Sequence, residues 1–156
     1  MGIKRKNGGK HPTIKKENIV KAMEKANCPN SNHPVFCFRY LTTNNKYNFE
    51  FYKNSNATEK NRVAAKLVEK LDEMSKRSWV ELFLNSKENG GLEQLSYDIV
   101  RFKPFNYNSE GILSEDTKYT IMRFDSDDKR IIGIKRSGCP IYHIIGFDFN
   151  HSAYPH

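Results

Sequence analysis

The sequence holds only three cysteines, an odd number that does not make a disulfide framework. A reducing compartment, the cytoplasm, is the expected setting. No apolar run approaches the ~20 residues that a membrane span needs, so neither an anchor nor a membrane partner is expected. There is no phosphate-cradling glycine loop, no nucleophile elbow and no dinucleotide fingerprint. The enzyme classes built on those motifs are disfavoured, and no cofactor is expected. Acidic residues are missing from the first sixteen positions, where Lys4, Arg5, Lys6, Lys10, Lys15 and Lys16 stand without counter-charge.

The formal net charge is +8, yet the chain beyond residue 16 carries 20 basic against 18 acidic residues. Most of the basicity is therefore a tail. A tail of this kind gives salt-sensitive, weakly specific affinity for nucleic acid, and Lys4, Arg5 and Lys6 are its candidate contacts. Hydrophobic residues make up 37% of the chain, but ten Phe and eight Tyr supply enough apolar volume for one domain with a real core.

In "TIKKENIVKAMEKANCP", Thr13 is a candidate cap, and Ile19, Val20, Met23 and Ala26 form one apolar stripe, which predicts a helix. The loop "CPNSNHP" then separates a basic arm and helix, residues 1–32, from a single domain, residues 33–156. "VFCFRYL" and "YNFEFY" are short and aromatic, and the residues between them suit a hairpin. Next the period changes. "NATEKNRVAAKLVEKLDEMSKR" places Val63, Leu67, Leu71 and Met74 on one face, and Asn56 with Glu59 has capping-box spacing. Ser78 and Glu81 start a second, shorter helix, and "LEQLSYDIVRF" reads as a further helical turn or two. Three strands close the chain, "KYTIMRF", "RIIGIKR" and "PIYHIIGFDF", joined by the turn-forming "DSDDK" and "SGCP". The last two are apolar on both faces and so belong at the sheet centre. This order predicts an α+β fold with helices packed on one face of a mainly antiparallel sheet.

Three stretches, "EKLDEMSKRSWVEL", "DKRIIGIKR" and "IYHIIGFDFNHSAY", make residues 58 to 154 resemble the RelE-type toxins, small bacterial ribonucleases. The resemblance implies two helices and a C-terminal antiparallel sheet, an RNA substrate associated with the ribosome, and an acidic antitoxin protein as partner. The aromatic segments and the basic arm are additions to that pattern.

RNA cleavage by the 2′-hydroxyl route needs a base, an acid and cations that stabilise the charged phosphorane. Arg130, Lys135 and Arg136 on the basic strand are candidate phosphate ligands. His151 and Tyr154, beyond the last apolar strand, are candidate proton-transfer residues, and the enzyme expected is a metal-independent endoribonuclease. The plainer alternative is that His151 and Tyr154 only end the strand in water. His143 alternates onto the face of Ile145 and Phe147 and is expected to pack. Cys28, His33, Cys37, Cys139 and His143 are soft ligands, but their spacing matches no common zinc module, so no metal is expected. The competing functional reading is a non-catalytic module of a phage or mobile element that binds nucleic acid or a host protein.

Overall fold

The computed structural model describes residues 32–108 and 111–155. The basic arm and helix expected over residues 1–32, with Lys4, Arg5 and Lys6, lie outside the described residues apart from Asn32. The rest is α+β: one main helix and a five-stranded sheet that is mixed but mostly antiparallel. The strands are β1 (Val35–Cys37), β2 (Glu93–Ser96), β3 (Lys118–Phe124), β4 (Lys129–Lys135) and β5 (Ile141–Asp148), in the spatial order β1-β5-β4-β3-β2. β1 runs parallel to β5 and every other pairing is antiparallel. β4 and β5 are interior strands, as their two-sided apolar patterns require.

The main helix α1 (Ala57–Ser75) begins where the Asn56 side chain accepts from the Glu59 amide. The short helix α2 (Trp79–Leu84) begins with a full capping box between Ser78 and Glu81. Both satisfy amides that the first helical turn otherwise leaves without partners. α1 buries Val63, Leu67 and Met74, while Leu71 is only half-buried. These side chains join Met122, Phe124, Ile131, Tyr142, Ile144 and Phe147 in a core on one face of the sheet. Strand neighbours of those residues point the other way. Tyr119, Ile121, Ile132, Ile134 and Ile145 build a second core with Tyr47, Val100, Phe102, Ala153 and Tyr154. The sheet is thus covered by helices on one face and by irregular chain on the other.

Two expected elements take other forms. The aromatic hairpin does not exist. Only Val35–Cys37 is a strand, and Phe49–Tyr52 is a 3-10 turn, capped by the Asn48 side chain on the Glu50 amide. Its rings lie against the helix-side core instead: Phe51 and Tyr52 are half-buried, with Phe51 5.2 Å from Phe149, while Phe49 stays exposed, 5.0 Å from Phe147. β5 outruns its short parallel neighbour, and its remaining backbone groups find loop partners: Thr42 N donates to Ile145 O and Phe147 N donates to Tyr47 O, both at 2.8 Å. The helix expected in "LEQLSYDIVRF" is instead β2 followed by a 3-10 turn at Tyr97–Ile99. Pairing with β3 overrides a local pattern that suits either structure.

A register shift between Ile132 and Gly133 marks a bulge in the β4–β5 ladder. It changes which side chains of β5 share a face. Ile144 and Phe147, three residues apart, both join the helix-side core, while Ile145 joins the other. The expected grouping of His143 with Ile145 and Phe147 fails at Phe147 for this reason. At Gly133 the bulge brings the Tyr142 ring against the backbone, so that a Cβ there would lie 2.4 Å from Tyr142 Cζ.

Candidate functional site

The β3–β4 hairpin sets the site's register. Its ladder pairs Phe124 with Lys129 and Arg123 with Arg130, so two arginines stand directly opposite on one face. Like charges in that position repel and cost stability. Both belong to the face away from the helices, since their sheet neighbours Ile121 and Ile132 lie in the second core. Arg130 is buried, Arg123 is partly buried, and the Nε atom of each is buried without a protein hydrogen-bond partner. Leaving such donors unmet is expensive, and their presence in a folded protein calls for a reason.

The two arginines open into a cleft of about 610 Å³, lined by Lys87, Glu93, Leu95, Ile99, Arg123, Arg130, Tyr154 and Pro155. Three cations face one carboxylate there. Glu93 Oε2 lies 3.6 Å from Arg123 Nη2, an ion pair too long to be a hydrogen bond. Asp148 stands opposite Arg130 on β5. Its buried carboxylate accepts from the Ser152 and Ala153 amides at 2.9 and 3.2 Å. Those two bonds fold the chain back after β5 and bring Tyr154 to the cleft. The Arg130 guanidinium lies 5.8 Å from the Tyr154 ring centroid. Burial raises the pKa of the Tyr154 phenol, against the lowering pull of Arg130, so the hydroxyl stays protonated.

The same turn places His151 at φ +56°, a left-handed conformation uncommon outside glycine. Its Nδ1 is 2.7 Å from Arg130 Nη1, and its Nε2 is 3.3 Å from Asp128 Oδ1. A guanidinium has donors only, so Nδ1 must be the acceptor, and the ring's proton then sits on Nε2 and is donated to Asp128. Asp128 belongs to a wider charge chain. Lys129 Nζ reaches Asp128 at 2.6 Å and Asp125 at 3.1 Å, and Asp125 accepts from Arg62 of α1 at 2.7 Å. Asp125, Ser126 and Asp127, which close the hairpin, all have positive φ. The turn is therefore held by its ion pairs against local backbone preference.

Of the residues singled out in the sequence, Arg130, His151 and Tyr154 come together. Lys135 and Arg136 do not join them. Lys135 ends β4, roughly 17 Å from Arg130 at about 3.4 Å per residue, and Arg136 follows it. Lys135 Nζ lies 5.1 Å over the Trp79 ring and donates to Arg136 O, and Arg136 Nη2 donates to Gly111 O at 3.3 Å. His143 is half-buried, with its ring 5.1 Å from Tyr40, and desolvation lowers its pKa. No group of three or more His, Cys, Asp or Glu side chains among the described residues is arranged to hold a metal. Sequence reading missed Arg123, Lys87 and Glu93. The signal for Arg123 was present: a hairpin closing on "DSDD" pairs residue 124 with 129 and therefore 123 with 130.

No helix among the described residues is long and apolar enough to cross a membrane. No protein-family model, curated protein or solved structure matches this chain.

Proposed function

We propose that the protein binds RNA in this cleft and cleaves it without a metal, as an endoribonuclease of the RelE-like kind working in the cytoplasm. The observation that carries the reading is the facing pair Arg123 and Arg130, two cations held close with unmet Nε donors in a cleft that Tyr154 lines and His151 borders. Repulsion between them is relieved by an anion, and a phosphodiester has the charge and the acceptor oxygens to meet both forks. Leu95, Ile99 and Pro155 give the cleft apolar wall against which a base can lie. An isolated phosphate monoester would use the cations but not that wall.

In this reaction Arg123, Arg130 and Lys87 hold the phosphate and stabilise the phosphorane. The 2′-oxygen bonds to phosphorus as its proton passes to His151. The bond from phosphorus to the 5′-oxygen breaks, and that oxygen takes the proton of Tyr154. A cyclic phosphate and a free 5′-hydroxyl result. Lys135, Arg136 and the tail cations Lys4, Arg5 and Lys6 serve as outlying phosphate contacts on a longer strand. An acidic antitoxin protein is the partner this reading entails.

One observation favours a second reading, a non-catalytic nucleic-acid-binding module: both ring nitrogens of His151 are already hydrogen-bonded. Incubating the protein with an RNA oligonucleotide and its all-deoxy counterpart separates the two. The enzyme reading expects cleavage of the RNA alone, and loss of that cleavage in a folded His151→Ala variant. Binding of both strands with neither cut supports the module.

A further inference from the structure

We propose that the Arg130–His151 contact is a latch opened by an oxyanion, so that occupation of the cleft by phosphate and uptake of a proton by His151 are one linked event. The inference rests on the reading of the cleft as a phosphodiester site, and it assigns that site a regulatory step.

The geometry supplies both halves. In the free protein Arg130 spends one Nη1 donor on the Nδ1 lone pair of His151, while its buried Nε has no protein partner. A bound oxyanion offers charged acceptors to the same guanidinium, and charge-assisted bonds of that kind are shorter and stronger than one to a neutral ring nitrogen. Arg130 therefore turns toward the anion and uncovers Nδ1. Three further features then favour a proton on that nitrogen. The cation that held the lone pair has moved to a counter-ion. The anion adds negative charge beside the ring. Asp128, on the other side of the ring, accepts from Nε2 and stabilises the doubly protonated form.

Arg130 from β4 and Asp128 from the β3–β4 turn contact the ring, and the Asp148 carboxylate at the end of β5 holds the turn that carries His151 through the Ser152 and Ala153 amides. Lys129 stands beyond them, paired to Asp128. Asp128 cannot bring about the change unaided, because Lys129 already shares its charge. The trigger has to act on Arg130.

The latch gives His151 a role that an always-open base lacks. The ring is silent until a phosphate is in place, and the lone pair it then exposes lies beside the phosphate that released it. In the reaction proposed above, the 2′-hydroxyl proton is the one taken up at that nitrogen when the occupant is cleavable RNA; with sulfate or a 2′-O-methyl strand the proton comes from solvent.

Sulfate is the first probe, since it carries two charges across the neutral range and does not titrate there. Binding to the full chain is followed by calorimetry in two buffers of different ionisation enthalpy near pH 7, which reports net proton uptake. In parallel, the His151 ring nitrogens are followed by NMR. The expected result is uptake of protons with sulfate, and movement of the Nδ1 resonance from the unprotonated toward the protonated range. His151→Asn keeps an acceptor for Arg130 and tolerates the left-handed φ, so it should bind sulfate with no linked uptake. Asp128→Asn, which leaves the ring in place, should reduce the uptake. Sulfate binding with no uptake and an unmoved Nδ1 signal overturns the latch alone. Failure of sulfate to bind overturns both the latch and the cleft as an anion site. A 2′-O-methyl RNA oligonucleotide is the second probe. If it reproduces the sulfate response, latch and RNA reading both stand. If sulfate opens the latch and the oligonucleotide does not bind, the latch stands and the RNA reading falls.

Discussion

Leu67 tests the packing that positions the site. It lies on the buried stripe of α1 at 6% exposure, in the core beneath β3 and β4. Replacing it by Ala removes three carbons, about 2.4 kcal/mol of transfer free energy at ~0.8 kcal/mol per carbon. A sealed site adds a cavity penalty, which brings Leu→Ala losses to about 2–5 kcal/mol. Leu67 is not sealed. With Val63, Ala64, Val68 and Leu71 it lines a surface groove of about 550 Å³ beside Phe38 and Phe49. Solvent and neighbouring side chains can enter the space, so the loss belongs at the low end, about 2–3 kcal/mol. Met74, with no exposed surface and away from the groove, should cost about 3–5 kcal/mol on truncation to Ala. Half-buried Leu71 should cost about 1 kcal/mol. Urea denaturation of the three variants gives the order directly, and the Leu67→Ala midpoint should fall by roughly 5–12 °C in a thermal scan. A Leu67→Ala loss below about 0.5 kcal/mol, or one larger than that of Met74→Ala, would refute the assigned helix face.

Gly133→Ala should destabilise by about 1–3 kcal/mol or more, because its Cβ would meet the Tyr142 ring at 2.4 Å and His143 O at 2.6 Å; chemical denaturation measures it. The Asp125 carboxyl is held below its ordinary pKa chiefly by the hydrogen bond from Arg62, with Lys129 adding to it. The stability it contributes is therefore present above the unfolded value of about 3.9 and is lost as the pH falls through the lower folded value. Asp125→Asn should accordingly be less stable than the parent at neutral pH and converge with it in acid, as read from unfolding curves across that range. Deleting the first ten residues removes Lys4, Arg5, Lys6 and Lys10, and should weaken nucleic-acid binding and flatten its salt dependence; an unchanged slope in a binding titration places every contact on the folded domain.

What the sequence made legible follows from where the physics is local. The 3.6-residue period and the Asn56 and Ser78 caps specify α1 and α2 within their own segments. The strands β3, β4 and β5 carry apolar runs bounded by tight turns. The segment "LEQLSYDIVRF" was opaque because Leu92, Leu95, Ile99 and Val100 fall at helical spacing, and only the partner strand β3 decides between helix and strand. Phe49, Phe51 and Tyr52 were misleading in the opposite sense. Their aromatic character suits a strand, but Phe51 and Tyr52 pack half-buried over the core beside Phe149, and Phe49 remains exposed next to Phe147. The site was half legible. Arg130 and Tyr154 could be picked from chemistry and position, and Asp148 folds the terminal turn that brings them together. Lys87 and Glu93 reach the cleft from segments distant in sequence, and no local pattern marks them. Arg123 needed only the hairpin register to be followed two residues outward from its turn.

The central claim is that Arg123 and Arg130 together hold RNA phosphate. Its most direct test is the salt dependence of binding to a 2′-O-methyl RNA oligonucleotide, measured for the parent chain and for folded Arg123→Gln and Arg130→Gln variants. Each phosphate contact on a single strand contributes about −0.7 to the slope of log K against log salt concentration. The account predicts that each variant binds more weakly and that its slope is shallower than the parent's by about 0.7. Unchanged affinity and slope in both variants would contradict it.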